Sequence, residues 1–240
     1  MTPRSRIAVL ASGGGSNFQA VHDHLASLGD RRSADVVLVA TNRPDAGVLR
    51  RARSVGVETA IIASPRCPHG EPLAALLENH AVDLVVLAGY LALVPADVVT
   101  RFAGRMVNVH PALLPAHGGH GMYGDRVHRA VIAAGDAWSG PTVHFVDEVF
   151  DHGAAIAQWP VPVLADDDAP SLAARVLRAE HALYPRIVQF VAAGRVRLDQ
   201  DGRATGSAPL PLRLPPLALA LDDTALAASA DVALTPLQSR

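Results

Sequence analysis

The sequence predicts an α/β fold built on a doubly wound, mostly parallel sheet with a short C-terminal tail. Three observations carry this. Apolar runs of five to seven residues recur through the first 110 positions, and stretches of helical spacing separate them. The runs are apolar throughout rather than alternating, as strands covered on both faces require. The chain has 240 residues, half of them hydrophobic, enough for one large core plus an appendage.

Residues 6–11 (RIAVLA) form a short apolar run, hence a buried strand. The turn 12–17 (SGGGSN) follows, then Phe18, Val21, Leu25 and Leu28 at helical spacing. Ser16 or Asn17 can cap that helix, and the glycines let backbone N–H groups approach a ligand. A helix N-terminus fed by glycines is a ready phosphate site; a connection without a ligand is the plainer alternative. The stretch is neither G-x-G-x-x-G nor a Walker A sequence, so a dinucleotide or ATP is not indicated. Residues 35–41 are a second strand, 42–55 a helix ending at Gly56, 58–62 a third strand, 71–80 a helix and 83–88 a fourth strand. Residues 89–94 (GYLALV) are apolar where a loop is expected. They either line a pocket for a flat hydrophobic ligand or pack under the helix that Pro95 starts.

The fifth strand, 105–110, runs into MVNVHPALLP at 106–115. Asn108 and His110 stand two apart, so on a strand they face one side, and Pro111 ends the strand. Open α/β sheets bind ligands at that edge. An amide donor beside an imidazole suits oxyanion stabilisation in acyl transfer; a turn in which both only satisfy backbone groups is the alternative. The loop 115–124 holds His117 and His120 without a Cys or carboxylate at ligand spacing, so no metal is expected. Residues 127–134 are helical, and 140–146 and 154–163 read as a hairpin-like strand pair. Between them, 147–153 (DEVFDHG) is either turn chemistry or the source of a carboxylate that orients His110 and raises its pKa. A long helix spans 170–191, with Leu172, Val176, Ala179, Leu183, Ile187 and Phe190 on its buried face. Pro185 should kink it or end its first segment. Its Glu180 is either solvated or aimed at the glycine loop's ligand. The division is a catalytic domain over 1–198 and a Pro/Ala/Leu-rich tail over 199–240, lying on the surface or partly disordered, without a core of its own.

The net charge of −2 argues against a nucleic-acid surface. All 21 basic residues are arginines, which excludes a Schiff-base lysine and a P-loop lysine. The single cysteine, Cys67, fits a reducing compartment, and no signal-peptide pattern or bilayer-spanning run is present; a cytoplasmic protein is expected.

Six stretches together resemble the phosphoribosylglycinamide formyltransferase family: VLASGGGSN (9–17), LAGYLALV (87–94), NVHPALLP (108–115), TVHFV (142–146), Asp151-His152-Gly153 and EHALYP (180–185). They occur in the family's order and cover about residues 6–198. The resemblance implies a Rossmann-like formyltransferase fold that uses 10-formyltetrahydrofolate as co-substrate and no metal. The amino group of glycinamide ribonucleotide attacks the formyl carbon, and a tetrahedral oxyanion collapses to expel tetrahydrofolate. It further implies that Asn108 donates to the formyl oxygen, that His110 stabilises the oxyanion and assists proton transfer, and that Asp151 pairs with His110. His144 is supportive. Gly15, Ser16 and Asn17 would bind the phosphate, and Glu180 would face the ribonucleotide. Leu91, Ala92, Leu93, Val94, Asp147, Glu148, Val149 and Phe150 would hold the folate, with Arg66 a candidate for its glutamate tail. Ala92 and Leu177 depart from the arginine and glutamine common in the family, and the loop 116–123 is longer. The expected partners are small molecules, with no nucleic acid or membrane, for a monomer or homodimer. A formyltetrahydrofolate hydrolase or another formyltransferase of the superfamily is the alternative; a methionyl-tRNA formyltransferase would need a second, basic domain.

Overall fold

The computed structural model describes residues 3–65, 67, 69–219 and 221–238. Its first half runs β1 (Ser5–Leu10), α1 (Ser16–Ser27), β2 (Ala34–Thr41), α2 (Val48–Ser54), β3 (Glu58–Ile61), α3 (Leu73–Asn79), β4 (Leu84–Leu87), α4 (Ala96–Arg101) and β5 (Met106–His110). The second half runs α5 (Asp125–Ala134), β6 (Trp138–Ser139), β7 (Thr142–Phe145), β8 (Ala155–Gln158), β9 (Val161–Pro162), α6 (Ala169–Ala192), β10 (Val196–Leu198), β11 (Ala204–Gly206), β12 (Leu212–Arg213) and α7 (Asp223–Ala233).

The main sheet has the order β12-β8-β7-β5-β4-β1-β2-β3. Strands β3, β2, β1, β4 and β5 are parallel, and β7 is antiparallel to both β5 and β8. The chain starts at β1, builds outward through β2 and β3, then returns to β4 on the other side. That reversal makes β1/β4 the switch point, where an open sheet leaves a crevice at its C-terminal edge. The continuous apolar runs have a simple cause. Ile7 and Val9 enter one core with Phe18, Leu183 and Tyr184, while Ala8 and Leu10 enter the other with Leu38, Leu76 and Val98. Successive residues of a strand face opposite sides, so both kinds must be apolar when both faces are covered.

Two expectations are corrected, and two that were left open are narrowed. The helix expected from residue 42 begins at Val48, because Thr41 and Asn42 spend their side chains on loop contacts: Thr41 Oγ1 accepts from the Arg43 backbone N–H at 3.1 Å, and Asn42 Oδ1 accepts from Ser12 Oγ at 2.7 Å. Neither Ser16 nor Asn17 caps α1; its N-cap is Gly15 at φ 80°, with no side-chain bond. Helix α6 continues through Pro185 to Ala192. Packing holds it: Tyr184 Oη lies 2.8 Å from the Leu87 carbonyl oxygen and 3.0 Å from that of Val107, tying the turn before the proline to β4 and β5. The described part of 199–240 is folded onto the domain. β12 extends the main sheet beside β8, and α7 lies against α6 through a two-bond Arg186–Asp231 pair at 2.6 and 3.0 Å. Leu214, Leu217, Leu226 and Leu237 are buried in the larger core. They are spaced by prolines and alanines without a helical or strand period, which is why the pattern read as a tail.

Candidate active site

The C-terminal ends of β4 and β5, the loop after β7 and one face of α6 enclose a cavity of about 530 Å³. Asn108 and His110 reach it together from β5, with His144 from β7 and Asp151 from the loop that follows. Asp151 sits at φ 53°, a left-handed conformation that Asp tolerates better than most residues. Two residues on, a Cβ on Gly153 would fall 2.0 Å from the Phe145 carbonyl oxygen, so only glycine lets this loop fold back toward β5.

The four polar side chains form one network. His144 Nδ1 donates to the Phe145 carbonyl at 2.7 Å, which leaves Nε2 as an acceptor. Asn108 Nδ2 stands 3.1 Å from that Nε2 and 3.4 Å from Asp151 Oδ1, so the two amide hydrogens have one acceptor each. His144 thereby fixes which way the Asn108 amide points. His110 Nε2 donates to the His117 carbonyl at 2.8 Å, and its Nδ1 faces Asp151 Oδ2 at 3.3 Å. Asp151 Oδ2 also accepts from the Gly119 backbone N–H at 3.0 Å.

The pairing of His110 with Asp151 is present, but its expected consequence is not. Burial acts most strongly and leaves the His110 pKa below its ordinary value; Asp151 and the His117 carbonyl pull it up only in part. The residue is only 3% exposed, a desolvation that no local sequence pattern foretells. Burial also depresses His144.

At the other end of the cavity, Asn17 Nδ2 donates to Glu180 Oε2 at 2.6 Å. Burial pushes the Glu180 carboxyl up to about 7, the Asn17 donor opposing it. Asn17 Oδ1 is buried without a hydrogen-bond partner among the described residues. Beside it the glycine loop presents the first N–H groups of α1 uncapped, at the positive end of the helix. A Cβ on Gly15 would meet Val48 at 2.6–2.8 Å, which fixes glycine there. Gly15 and Ser16 border this end without lining the cavity itself.

Leu91, Ala92, Leu93 and Val94 line the cavity opposite, as do Asp147, Val149 and Phe150; Glu148 does not. Ser12 holds the apolar loop in place, donating to Asn42 Oδ1 at 2.7 Å and accepting from the Leu91 backbone N–H at 3.0 Å. Arg66 lies outside the described residues. Sequence reasoning missed Tyr123, Arg126 and His128, which also line the cavity. Their only signal was position, in the long glycine loop and the first turn of α5. His117 Nε2 is taken by Asp136 Oδ2 at 2.6 Å. Among the described residues no cluster of three or more His, Cys, Asp or Glu could hold a metal, and no helix is long and apolar enough to cross a membrane.

Residues 5–188 match the family model described as "Formyl transferase". A chloroplastic phosphoribosylglycinamide formyltransferase of Arabidopsis thaliana is 42% identical over 204 residues, covering 83% of this chain and 69% of the relative. The phosphoribosylglycinamide formyltransferase of Escherichia coli (strain K12) is 37% identical over 221 residues, covering 90% of this chain and 99% of the relative. The crystal structure of phosphoribosylglycinamide formyltransferase from Anaplasma phagocytophilum superimposes with a TM-score of 0.77 at 34% identity, over 88% of this chain and 98% of that one.

Proposed function

The chain belongs to the formyl transferase family, and from that premise we propose that it moves the formyl group of 10-formyltetrahydrofolate onto the amino group of glycinamide ribonucleotide, a step of purine biosynthesis. The observation that carries the reading is the Asn108–His110–Asp151 cluster, which lines one cavity together with an apolar loop and the Asn17–Glu180 pair. That combination suits a flat apolar donor and a phosphorylated, hydroxyl-bearing acceptor.

The amine attacks the formyl carbon. A C–N bond forms and the carbonyl oxygen takes the negative charge. Collapse breaks the bond to the folate nitrogen, which receives the proton that the amine loses. Asn108 meets the formyl oxygen with the hydrogen now shared with Asp151 over 3.4 Å, the longer of its two contacts, while His144 keeps the amide aligned. His110 gives up the His117 carbonyl to the substrate and turns its Nε2 hydrogen to the oxyanion. An oxyanion beside a buried imidazole raises its proton affinity, so a depressed His110 takes the proton that the attacking amine loses as charge develops, and gives it to the folate nitrogen on collapse. Asp151, on the far nitrogen, favours that same cation. Asn17 Oδ1 and Glu180 take the acceptor's donors, and the uncapped turn of α1 takes its phosphate. Leu91, Leu93 and Val94 cover the pterin ring. A cytoplasmic location is part of the same proposal.

Steady-state turnover of Asn108→Ala and His110→Ala tests the roles. Each should lose on the order of 100- to 1,000-fold in kcat, with the KM for the ribonucleotide within a few-fold of the parent. Turnover near the parent value in either variant removes that residue from the mechanism.

A further inference from the structure

At the opposite edge of the sheet, where β1 and β2 begin and α6 ends, lies a second groove of about 820 Å³. Arg4, Arg31, Arg32, Arg195 and Arg197 line it, with Ser33 and Ser207. Five of the chain's 21 basic residues thus gather at one concavity of a protein whose net charge is −2.

Their neutralisation is incomplete. Arg4 Nη2 stands 3.2 Å from Asp30 Oδ1, Arg32 Nε stands 2.6 Å from Asp35 Oδ1, and Arg197 Nε donates to the Gly194 carbonyl at 2.7 Å. The guanidinium groups of Arg31 and Arg195 have no hydrogen-bond or ion-pair partner among the described residues. Five arginines less Asp30 and Asp35 leave three positive charges. A purely structural reading has these arginines answering the carbonyl end of α6. Arg197 does so through Gly194; Arg31 and Arg195 do not. No aromatic ring among the described residues lines the groove, so none of them stacks on a base or a pterin there. What it offers is planar, forked N–H donors, the geometry that matches phosphoryl oxygens two at a time.

We propose that this groove is a second binding site, for a small polyphosphate anion, recognised through successive phosphoryl groups. It shares no lining residue with the catalytic cavity, so it stands or falls independently of the reaction assigned above.

Isothermal titration with inorganic tripolyphosphate tests it, on the full chain and on the double variant Arg31→Gln/Arg195→Gln, at low and at physiological salt. Both side chains are exposed and have no partner among the described residues, so the variant should keep the parent's thermal midpoint and its KM for the ribonucleotide. The parent should bind tripolyphosphate more weakly as salt rises. The variant should bind at least about tenfold more weakly than the parent. No binding by the parent overturns the proposal. Equal binding by parent and variant also overturns it, and would put the anion at the glycine loop. A single-stranded RNA or an anionic phospholipid vesicle that binds the groove far more tightly than tripolyphosphate would replace the small anion with a macromolecular surface.

Discussion

Glu180→Gln isolates the cost of burying a carboxyl group between substrate and core. Glu180 is 6% exposed, and among the described residues its one hydrogen-bond donor is Asn17 Nδ2 at 2.6 Å. Burial raises its pKa from 4.5 to about 7. A group whose folded pKa is raised contributes stability that is fully present below its unfolded pKa. That stability is lost as pH rises through the folded pKa, here between 4.5 and about 7. A rise of about 2.5 pH units at about 1.4 kcal/mol each amounts to roughly 3–4 kcal/mol across the full range. Glutamine keeps an acceptor for Asn17 and carries no charge. Urea unfolding of parent and variant at pH 5 and pH 8.5 should therefore show near-equal stability at the lower pH. At the higher pH the variant should be more stable by about 2–3 kcal/mol. Taking the difference between the two proteins removes every other titrating group. The same variant should raise the KM for the ribonucleotide, since the carboxylate faces that end of the cavity. A stability difference that stays constant with pH would show that Glu180 is not desolvated as the structure has it.

Ser12→Ala leaves the Leu91 N–H without its acceptor and unlinks the apolar loop from Asn42. It should cost about 1–3 kcal/mol in thermal or urea unfolding and raise the folate KM more than it lowers kcat. Gly153→Ala drives a Cβ to within 2.0 Å of the Phe145 carbonyl oxygen, so the backbone bearing Asp151 must shift; kcat should fall and unfolding should ease by about 1–3 kcal/mol. His24 is held down to about 4, first by burial and then by Arg186. Because its folded pKa lies below the unfolded 6.5, the stability is present above pH 6.5 and is lost as pH falls toward 4. With solvent reaching part of the ring, the loss should be about 1–2 kcal/mol and should vanish in His24→Gln, read as urea midpoints at pH 7.5 and 4.5.

The sheet was legible because strands covered on both faces must be apolar at every position, and β1, β2, β4 and β5 begin and end within one residue of where the runs do. The pairing of Asn108 with His110 was legible for the related reason that a strand repeats every two residues. What escaped was set by tertiary contact. Residues 42–47 have the composition of a helix start, yet Asn42 is drawn into the Ser12 bond. Pro185 would break an isolated helix, but Tyr184 and the packing around it outweigh the one lost backbone bond. The leucines after position 210 bury singly, and no periodicity announces single burials. The depressed pKa of His110 depends on how completely β5, β7 and the 117–119 loop close over it, a quantity absent from any local window. Arg126 and His128 come to the cavity only because the long glycine loop folds inward.

Formyl transfer itself is the most direct test of the central claim. Purified protein is mixed with 10-formyltetrahydrofolate and glycinamide ribonucleotide, folate absorbance is followed, and a reaction without the ribonucleotide runs beside it. The expected result is tetrahydrofolate release only when the ribonucleotide is present, with one formylated product per folate consumed. Folate release at the same rate without the acceptor would make this cavity a hydrolase site, and no release with both ligands bound would remove the chemistry assigned to Asn108 and His110.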